Sequence, residues 1–360
     1  MKTLKKILKV FIWVVIIVVL IPVSFFIYST LTDYKPNLIE KIETTGKGIK
    51  TDTTEFSLIS WNIGYCGMGK EQDFFFDGGK DVRPDETYYN KCQKGILDFI
   101  ASHDTTDFCF IQEIDIHAKR SYWNDQLEKI SALLPNRVCS YAKNYDVRFV
   151  PFPLASPMGR VKSGLATFSK YIPTESTRHA FTSNFSWPKR IFMLDRCFIL
   201  TRFPLKFGQD LVLINTHNSA FDNTSELRKQ ELSQLKEIMM SEYAKGNYVI
   251  VGGDWNQNPK DFLPEKIKKE YASRNIEPPM DENFVQSDFH WVFDPTIPTN
   301  RDADTPYQHG KTKATIIDFF LTTPNVEIVS CKTIETGFEF SDHQPIYLKF
   351  RLEKKLNKQR

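Results

Sequence analysis

The longest uninterrupted hydrophobic pattern in the chain lies near its start. No Asp, Glu, Lys or Arg occurs in residues 10–31, a run of 22 positions. As an α-helix this run is about 33 Å long, enough to cross a hydrocarbon layer of about 30 Å. A secretory signal has an apolar core of only about 7–15 residues, and no clear small-residue cleavage site follows this run. The pattern therefore predicts a retained transmembrane anchor, rather than a cleaved signal or a buried core helix.

The charges beside this run predict its orientation. Lys2, Lys5, Lys6 and Lys9 lie in the basic flank 1–9, and Asp33 follows the run. By the positive-inside rule, the N-terminus is expected in the cytoplasm and the main part of the chain on the periplasmic or extracellular side. The polar residues 32–54 are predicted to be a coil linker.

Beyond residue 54, short apolar runs alternate with amphipathic stretches. The runs are rich in Val, Ile and Phe, as buried strands are, and polar residues stand at their ends. Stripes such as Cys92, Ile96 and Ile100 have helical spacing and lie between the runs. The alternation predicts an α/β fold with two sheets and helices outside them, and long loops with short elements in residues 260–313. The predicted strands are 56–61, 108–112, 211–216, 248–253, 315–321 and 345–350.

Charge is distributed unevenly along the chain. The formal net charge is +3, but four lysines precede the apolar run and residues 349–360 carry a net charge of +5. The body between them therefore has a net charge of −6. A domain that binds nucleic acid through many phosphates is usually basic, so this balance counts against a dedicated DNA nuclease.

The six cysteines, at 66, 92, 109, 139, 197 and 331, are widely spaced. Without a CxxC pair or a Cys/His cluster, they do not predict a zinc site. Their apolar surroundings favour buried free thiols, although an even number of cysteines in an exported protein leaves disulfides open.

Polar residues at the ends of the predicted strands form a set with a common chemistry. Carboxylates and Asn supply the hard oxygen ligands that Mg²⁺ prefers, and His and Asn supply hydrogen bonds to a phosphoryl group. Hydrolysis of a phosphoester needs both, together with an oriented water. The set is Asn62, Glu113, His217, Asp254, Asn256, Asp318, Asp342 and His343.

Six short motifs around these residues resemble the endonuclease/exonuclease/phosphatase superfamily, which includes deoxyribonuclease I, abasic-site endonucleases, inositol polyphosphate 5-phosphatases and neutral sphingomyelinases. No single motif is specific, but all six occur in the superfamily's order over about residues 55–352. That stretch is predicted to be the catalytic domain, with 353–360 as a basic tail. The motifs are Ser60-Trp61-Asn62, Ile111-Gln112-Glu113, Asn215-Thr216-His217, Gly252-Gly253-Asp254-Trp255-Asn256, Ile317-Asp318-Phe319 and Ser341-Asp342-His343.

The resemblance implies a four-layer α/β sandwich, two packed mixed sheets flanked by helices, with the site at one rim of the sheets. It implies that Glu113 is the principal Mg²⁺ ligand and that Asn62 and Asp342 lie at or near the ion, with Mn²⁺ as a substitute. The protein is then expected to be a metal-dependent phosphoric ester hydrolase, and a monomer.

The same resemblance implies roles for the remaining residues. Asp254 is expected to orient or deprotonate the attacking water, and Asn256 and His217 to bind the scissile phosphate. His343 is expected to lie over the phosphoryl group, positioned by Asp318 through its other ring nitrogen. A His of this kind needs a carboxylate or carbonyl to fix its tautomer, and an Asp within an apolar run is otherwise unexpected.

The substrate is the least determined part of the prediction. Arg160 and Lys162, in a segment similar to the sphingomyelinase-like and bacterial branches, are candidates to bind a substrate phosphate; the alternative is a solvated loop. Asp115 and His117, close to Glu113, are more consistent with a solvated loop than with ligands. Membrane attachment and the acidic body favour a lipid headgroup or a small phosphodiester. The alternatives are an exported DNA or RNA nuclease and an inactive phosphoester-binding relative.

Overall fold

The computed structural model of the chain describes residues 2–220, 222, 225–276, 279–281 and 283–352. The predicted basic tail 353–360 lies outside these residues. The described residues form four α-helices: α1 (Lys2–Leu31), α2 (Glu86–Ser102), α3 (Gln126–Leu133) and α4 (Glu226–Ala244). Helix α1 is long and apolar enough to cross a membrane.

The strands, in chain order, make two seven-stranded sheets and one small sheet in the described part of the chain. Sheet one has the order β1-β7-β8-β9-β10-β15-β12, sheet two has the order β16-β17-β3-β4-β6-β5-β2, and the small sheet has the order β11-β14-β13. Their bounds are β1 (Ile39–Lys41), β2 (Thr45–Gly46), β3 (Glu55–Asn62), β4 (Phe108–Asp115), β5 (Val138–Val150), β6 (Gly159–Ser169), β7 (Glu175–Ala180), β8 (Cys197–Pro204), β9 (Asp210–His217), β10 (Tyr248–Asp254), β11 (Ala272–Ser273), β12 (His290–Val292), β13 (Asn300–Arg301), β14 (Lys313–Thr315), β15 (Asp318–Thr322), β16 (Val326–Thr333) and β17 (Ile346–Leu352).

The two large sheets pack face to face over a shared apolar core. Alternate residues of β3 and β4, such as Leu58 and Phe110, meet residues of β9 and β10, such as Leu213 and Ile250. Because successive strand residues point to opposite faces, the intervening residues pack outward against helices. Helices α2 and α3 cover sheet two, and α4 covers sheet one. This arrangement confirms the predicted four-layer α/β sandwich.

Both sheets are mixed, and each has one parallel pair at its centre. Strands β3 and β4 are parallel in sheet two, and β9 and β10 are parallel in sheet one. The carboxyl ends of a parallel pair lie at the same edge of a sheet, so these four strands end close together.

The predicted linker 32–54 is not a free coil. Strand β1 pairs with β7 at one edge of sheet one, and β2 pairs with β5 at one edge of sheet two. Ile49 forms an isolated bridge with Tyr171. Strands β1 and β2 have only three and two residues, too few for a hydrophobic pattern to predict them. They add residues before 55 to the folded body.

The predicted strand 315–321 is divided in two. Thr315 ends β14, Asp318 begins β15, and the backbone amides of Ile317 and Asp318 donate to the Thr299 hydroxyl. All six cysteines are free thiols, and five of them are buried, as their apolar surroundings predicted.

Gly253 is required by the close approach of β9 and β10. Its φ is +139°, and a Cβ there would lie 2.0 Å from the Thr216 carbonyl oxygen. Gly208 also has a positive φ, +95°, but nothing lies within 4 Å of the position of its Cβ. A substitution at either glycine strains the backbone. Only at Gly253 does the added Cβ also clash with another atom.

Gly253→Ala is expected to lower the free energy of unfolding by about 3 kcal/mol or more, because backbone strain and overpacking add. Gly208→Ala, the control, is expected to cost about 1–2 kcal/mol from backbone strain alone. Denaturant unfolding of the full chain in detergent, followed by tryptophan fluorescence, measures both. Equal losses for the two variants would contradict the proposed clash.

Candidate active site

The candidate residues meet at the edge where the parallel strands end. Asn62 ends β3, His217 ends β9 and Asp254 ends β10, while Glu113 lies near the end of β4. Asp318 begins β15 and pairs with Asp254 in the sheet. The loop before β17 adds Asp342 and His343. Seven residues that are up to 281 positions apart in the chain are thereby brought to one edge of the sandwich.

A β-bulge directs the side chain of Glu113. The register of β4 with β6 shifts between Ile111 and Ile114, and Glu113 has a φ of +58°. A bulge of this kind places an extra residue in one strand and re-aims its side chain. A non-glycine residue in the left-handed region costs free energy, so the surrounding structure must hold Glu113 in place.

The Asn62 side-chain amide joins carboxylates of the two sheets. Its Nδ2 donates to Glu113 Oε1 at 3.2 Å and to Asp254 Oδ2 at 3.0 Å, and its Oδ1 accepts from the Gly64 amide at 3.0 Å. Both ends of the amide are therefore held. In this arrangement Asn62 positions two carboxylates, and its oxygen faces a backbone donor.

His343 and Asp318 form a buried pair. His343 Nδ1 lies 2.8 Å from Asp318 Oδ2, as the resemblance implied. His343 Nε2 lies 3.1 Å from Asn300 Nδ2 and 3.7 Å from Asp254 Oδ2. Burial by itself lowers the pKa of His343, but the carboxylates of Asp318 and Asp254 outweigh it, so the pKa is raised well above its ordinary value. These carboxylates favour the protonated form of the ring.

His217 has the opposite charge state. Its Nε2 lies 3.4 Å from Asp254 Oδ2 and 3.9 Å from Glu113 Oε1. Burial, with smaller contributions from Arg196 and His343, lowers the pKa of His217 well below its ordinary value. The site thus holds a neutral and a protonated imidazole side by side.

Asp254 lies at the centre of this network. Its Oδ1 accepts from the Asn256 amide at 3.0 Å in a tight turn, and Asn256 Nδ2 donates to the Asn218 carbonyl at 2.9 Å. Burial raises the pKa of Asp254 to about 7, against the lowering effect of His343. A carboxyl group whose pKa lies near neutrality can exchange a proton at physiological pH.

A cavity of about 680 Å³ opens above these groups. Glu113, His217, Asp254 and Asp342 line its polar end. The remaining wall is largely aromatic and aliphatic, although it also includes Arg120, Lys189 and Arg196; its apolar residues include Phe26, Phe74, Phe76, Phe152, Met158 and Phe192. The arrangement suits a molecule with one charged end and one apolar end.

Comparison with known proteins identifies the family. The model of the family described as Endonuclease/Exonuclease/phosphatase matches residues 59–343, most of the chain. The protein belongs to this family. Members of the family hydrolyse phosphoesters, so the class of reaction is that of a hydrolase. No curated protein matches the chain.

Solved structures of family members have the same fold. A Bacteroides vulgatus endonuclease/exonuclease/phosphatase is 16% identical with a TM-score of 0.53, covering 83% of this chain and 100% of that one. A Beutenbergia cavernae member is 15% identical with a TM-score of 0.53, covering 83% and 72%. The structure of ANGEL2, a 2',3'-cyclic phosphatase, is 15% identical with a TM-score of 0.55, covering 88% and 99%. At these identities the likeness concerns the fold.

Arg160 and Lys162, the candidates to bind a substrate phosphate, do not line the active-site cavity. Arg160 pairs with Asp146, and Lys162 lines a separate cavity beside Tyr34 and Glu40. Both occupy the same face of β6, and the next residue, Ser163, points the other way into the active-site cavity. The structure therefore does not bring Arg160 and Lys162 to the other candidate residues, and their contact with a substrate phosphate stays a prediction.

Asp115 does not lie in a solvated loop, contrary to the prediction. Its carboxylate is fully buried and accepts two hydrogen bonds from Arg120, at 2.9 and 3.0 Å. Its neighbour His117 is exposed, as predicted.

Arg196 is a cavity residue that no motif signalled. It lines the cavity with Glu113 and Asp254, and its Nη1 has no hydrogen-bond partner among the residues described. Burial lowers the pKa of Arg196, with carboxylates including Glu231 and Asp254 opposing the shift, and a guanidinium stays charged. An unpaired guanidinium beside the candidate residues is suited to bind a phosphate.

The carboxylates at the polar end fit a divalent cation. Burial raises the pKa of Glu113, and the nearby charge of Asp342 raises it further, against Arg120 and Asn62. A divalent cation would compensate this concentrated negative charge, and carboxylate oxygens suit Mg²⁺. Asp254, Asp318 and His343 also present possible ligand atoms within 4.8 Å of one another, but Asp318 and His343 are bonded to each other there.

Substitutions of His343 and of Asp318 are expected to lower activity by different amounts. His343→Ala is expected to lower kcat on a phosphodiester by about 10²–10⁴, the range for loss of a positioned acid or base. Asp318→Asn is expected to lose less and to move the alkaline limb of the pH–rate profile to lower pH, because the charge that raises the pKa of His343 is gone. A silent Asp318→Asn, in rate and in profile, would show that Asp318 is only a core residue.

Arg196 and Arg160 form a matched pair of substitutions. Arg196→Gln is expected to raise KM for a phosphodiester about tenfold or more, because a charge-assisted hydrogen bond is lost. Arg160→Gln is expected to leave KM within a factor of about two, because Arg160 pairs with Asp146 and does not line the cavity. Steady-state kinetics of both variants measures the difference. Equal effects would remove Arg196 from the site.

Proposed function

We propose that the protein is a membrane-anchored, Mg²⁺-dependent phosphodiesterase, with a lipid headgroup or another small phosphodiester as substrate. The observation that supports it is the meeting of Glu113 and Asp342 with His217, Asp254 and protonated His343 at one end of an apolar cavity. Family membership supports the hydrolytic reaction, and the apolar run before the body supports the anchor.

In this proposal Glu113 and Asp342 hold the ion, and Asn62 fixes Glu113. A bound Mg²⁺ supplies positive charge that polarises a phosphoryl oxygen and stabilises charge that develops on it. Mn²⁺ is expected to replace it. Both carboxylates line the cavity, and neither forms an ion pair with a Lys or Arg among the residues described, which is why we assign them the ion.

The chain's own groups supply the proton transfers and the phosphate contacts. Asp254, with a pKa of about 7, takes a proton from the attacking water as its oxygen bonds to phosphorus. The ester bond from phosphorus to the leaving oxygen breaks in the same displacement, and that oxygen leaves as an alcohol after taking a proton from solvent. His343, held by Asp318, donates a hydrogen bond to the phosphoryl group, where negative charge increases. His217, Asn256 and Arg196 bind the remaining phosphate oxygens.

The charge pattern favours this substrate class over nucleic acid. The body carries a net charge of −6, whereas a protein that follows a nucleic-acid backbone needs a positive excess. All the groups assigned here come from one chain, which fits a monomer. By the positive-inside rule, we place the body outside the cytoplasm.

The test uses methyl p-nitrophenyl phosphate, a small soluble phosphodiester, and the full chain in detergent. We expect hydrolysis with Mg²⁺ or Mn²⁺ and none in excess chelator. Glu113→Gln is expected to lower the rate by about 10²-fold or more, because one anionic ligand is lost. Calorimetric titration of Mg²⁺ should show weaker binding to this variant, independently of activity.

Glu71→Gln is the matched control, because Glu71 is an exposed acid paired with Lys91. It is expected to leave both the rate and Mg²⁺ binding unchanged. Full activity in excess chelator would exclude the metal-dependent mechanism.

A further inference from the structure

The end of helix α1 is packed against the body rather than held at a distance. The ring of Phe25 stacks on Phe192, with centroids 5.8 Å apart, and meets Phe149 edge to face at 6.1 Å. Phe26 meets Trp187 at 6.2 Å. These five rings of the body and the helix form a continuous aromatic contact that fixes where the anchor enters the body.

Polar contacts fix the same junction one turn later. Trp187 Nε1 donates to Thr30 Oγ1 at 3.2 Å, and Arg190 Nη2 donates to Asp33 Oδ2 at 3.1 Å. The anchor therefore has a defined position on the segment 185–192. A flexible tether, as predicted for residues 32–54, would leave this segment uncovered.

The length of helix α1 that the body leaves uncovered determines how deep in the membrane the junction between helix and body lies. Contacts with the body begin at Phe25, so the uncovered part of the apolar run is 10–24, about 22 Å of helix. A hydrocarbon layer is about 30 Å thick. With the lysines before Val10 outside the layer, the remaining thickness is filled by residues 25–31 and by the body residues that touch them. Phe149 and Trp187 are therefore placed at the boundary of the membrane.

The surface beside this junction is apolar and exposed. The exposed fractions are 42% for Phe149, 47% for Phe152, 79% for Leu154 and 60% for Trp187. Residues 150–158 contain no charged side chain. Water-exposed aromatic and aliphatic residues that continue a transmembrane helix match the aromatic belt at a membrane interface. We name Phe149, Phe152, Leu154 and Trp187 the rim.

The rim and the active site share one cavity. Phe152 of the rim and Phe26 of the anchor line the cavity whose other end carries Glu113 and His217. Phe192, which stacks on Phe25, lines it as well. The anchor is thus a wall of the cavity, and the apolar end of the cavity lies at the membrane boundary.

We propose that the rim enters the membrane and that the cavity receives the apolar chain of a lipid phosphodiester directly from the bilayer, with the phosphate at Glu113 and His217. This inference rests on the proposed phosphodiesterase function and adds to it a substrate class and a route of entry. A purely polar diester has no group that would fill the aromatic wall.

The first experiment varies the apolar part of a soluble substrate. The full chain in detergent is given p-nitrophenyl alkyl phosphates with methyl, butyl and octyl groups, below the concentration at which they aggregate. We expect kcat/KM to rise roughly tenfold or more from methyl to octyl, because each methylene that leaves water adds to binding. Phe192→Ser is expected to flatten this dependence on chain length, because it removes an apolar wall.

The second experiment tests entry from the bilayer. The full chain is reconstituted in phosphatidylcholine vesicles that contain p-nitrophenyl hexadecyl phosphate, and each variant's rate is divided by its rate on the methyl diester. Leu154→Asp is expected to lower this ratio roughly tenfold, because a carboxylate is excluded from the apolar layer. Ile172→Asp is the control: Ile172 is 50% exposed and follows the opposite end of β6. It is expected to leave the ratio unchanged.

The outcomes separate the two proposals. If no p-nitrophenyl diester is hydrolysed with Mg²⁺, the proposed function itself fails. If the methyl diester is hydrolysed but chain length has no effect, the lipid cavity is wrong and the phosphodiesterase stands. An equal fall in the ratio for Leu154→Asp and Ile172→Asp would overturn entry from the membrane. Faster cleavage of a dinucleotide than of the octyl diester would favour a nuclease.

Discussion

Asn62 ties the two sheets together at the point where the candidate chemistry lies. One amide nitrogen donates to Glu113 in sheet two and to Asp254 in sheet one. Beneath it, Gln112 Nε2 donates to Asn215 Oδ1 at 2.7 Å, again from sheet two to sheet one. Polar groups buried between apolar sheets are costly unless they are paired, so these bonds permit only one register of the sandwich. The geometry of the site follows from that register.

Burial at this edge of the sandwich also shifts the pKa values of the titratable groups in the site. Glu113 and Asp254 both have raised pKa values because they have been taken out of water, and other carboxylates lie close to them. As a result, the pKa values of the two histidines shift in opposite directions. The pKa of His343, against Asp318, is raised, whereas burial, with Arg196 and His343 nearby, lowers the pKa of His217. An acidic site that contains one fixed imidazolium, one neutral imidazole and an uncompensated pair of carboxylates is suited to a cation and a phosphate together.

In the proposed function, the packing of helix α1 against the cavity connects the membrane with this chemistry. A tethered enzyme gains only a higher local concentration of its substrate. An anchor that supplies Phe26 to the cavity wall can also affect which substrates fit there. The aromatic content of the chain, 14%, is partly explained by this junction, where Phe25, Phe149, Trp187 and Phe192 meet.

The sequence alone determined the features that depend on local pattern. Apolar runs with polar ends indicated the central strands, because a strand covered on both faces must be apolar throughout. The order of six short motifs indicated the family and brought eight candidate residues into one set, and the 22-residue uncharged run indicated the anchor. Each of these signals is contained in a few consecutive residues.

Only the tertiary structure decided which distant groups share the cavity. Arg196 and Asn300 stand in no motif, yet packing brings one to Glu113 and the other to His343. Arg160 and Lys162 have the right charge, but the alternation of β6 turns them away. The edge strands β1 and β2 and the seat of α1 on Trp187 depend on partners more than 90 residues away. Local pattern reports whether a residue is buried, whereas its partner is set by how the sheets and helices pack.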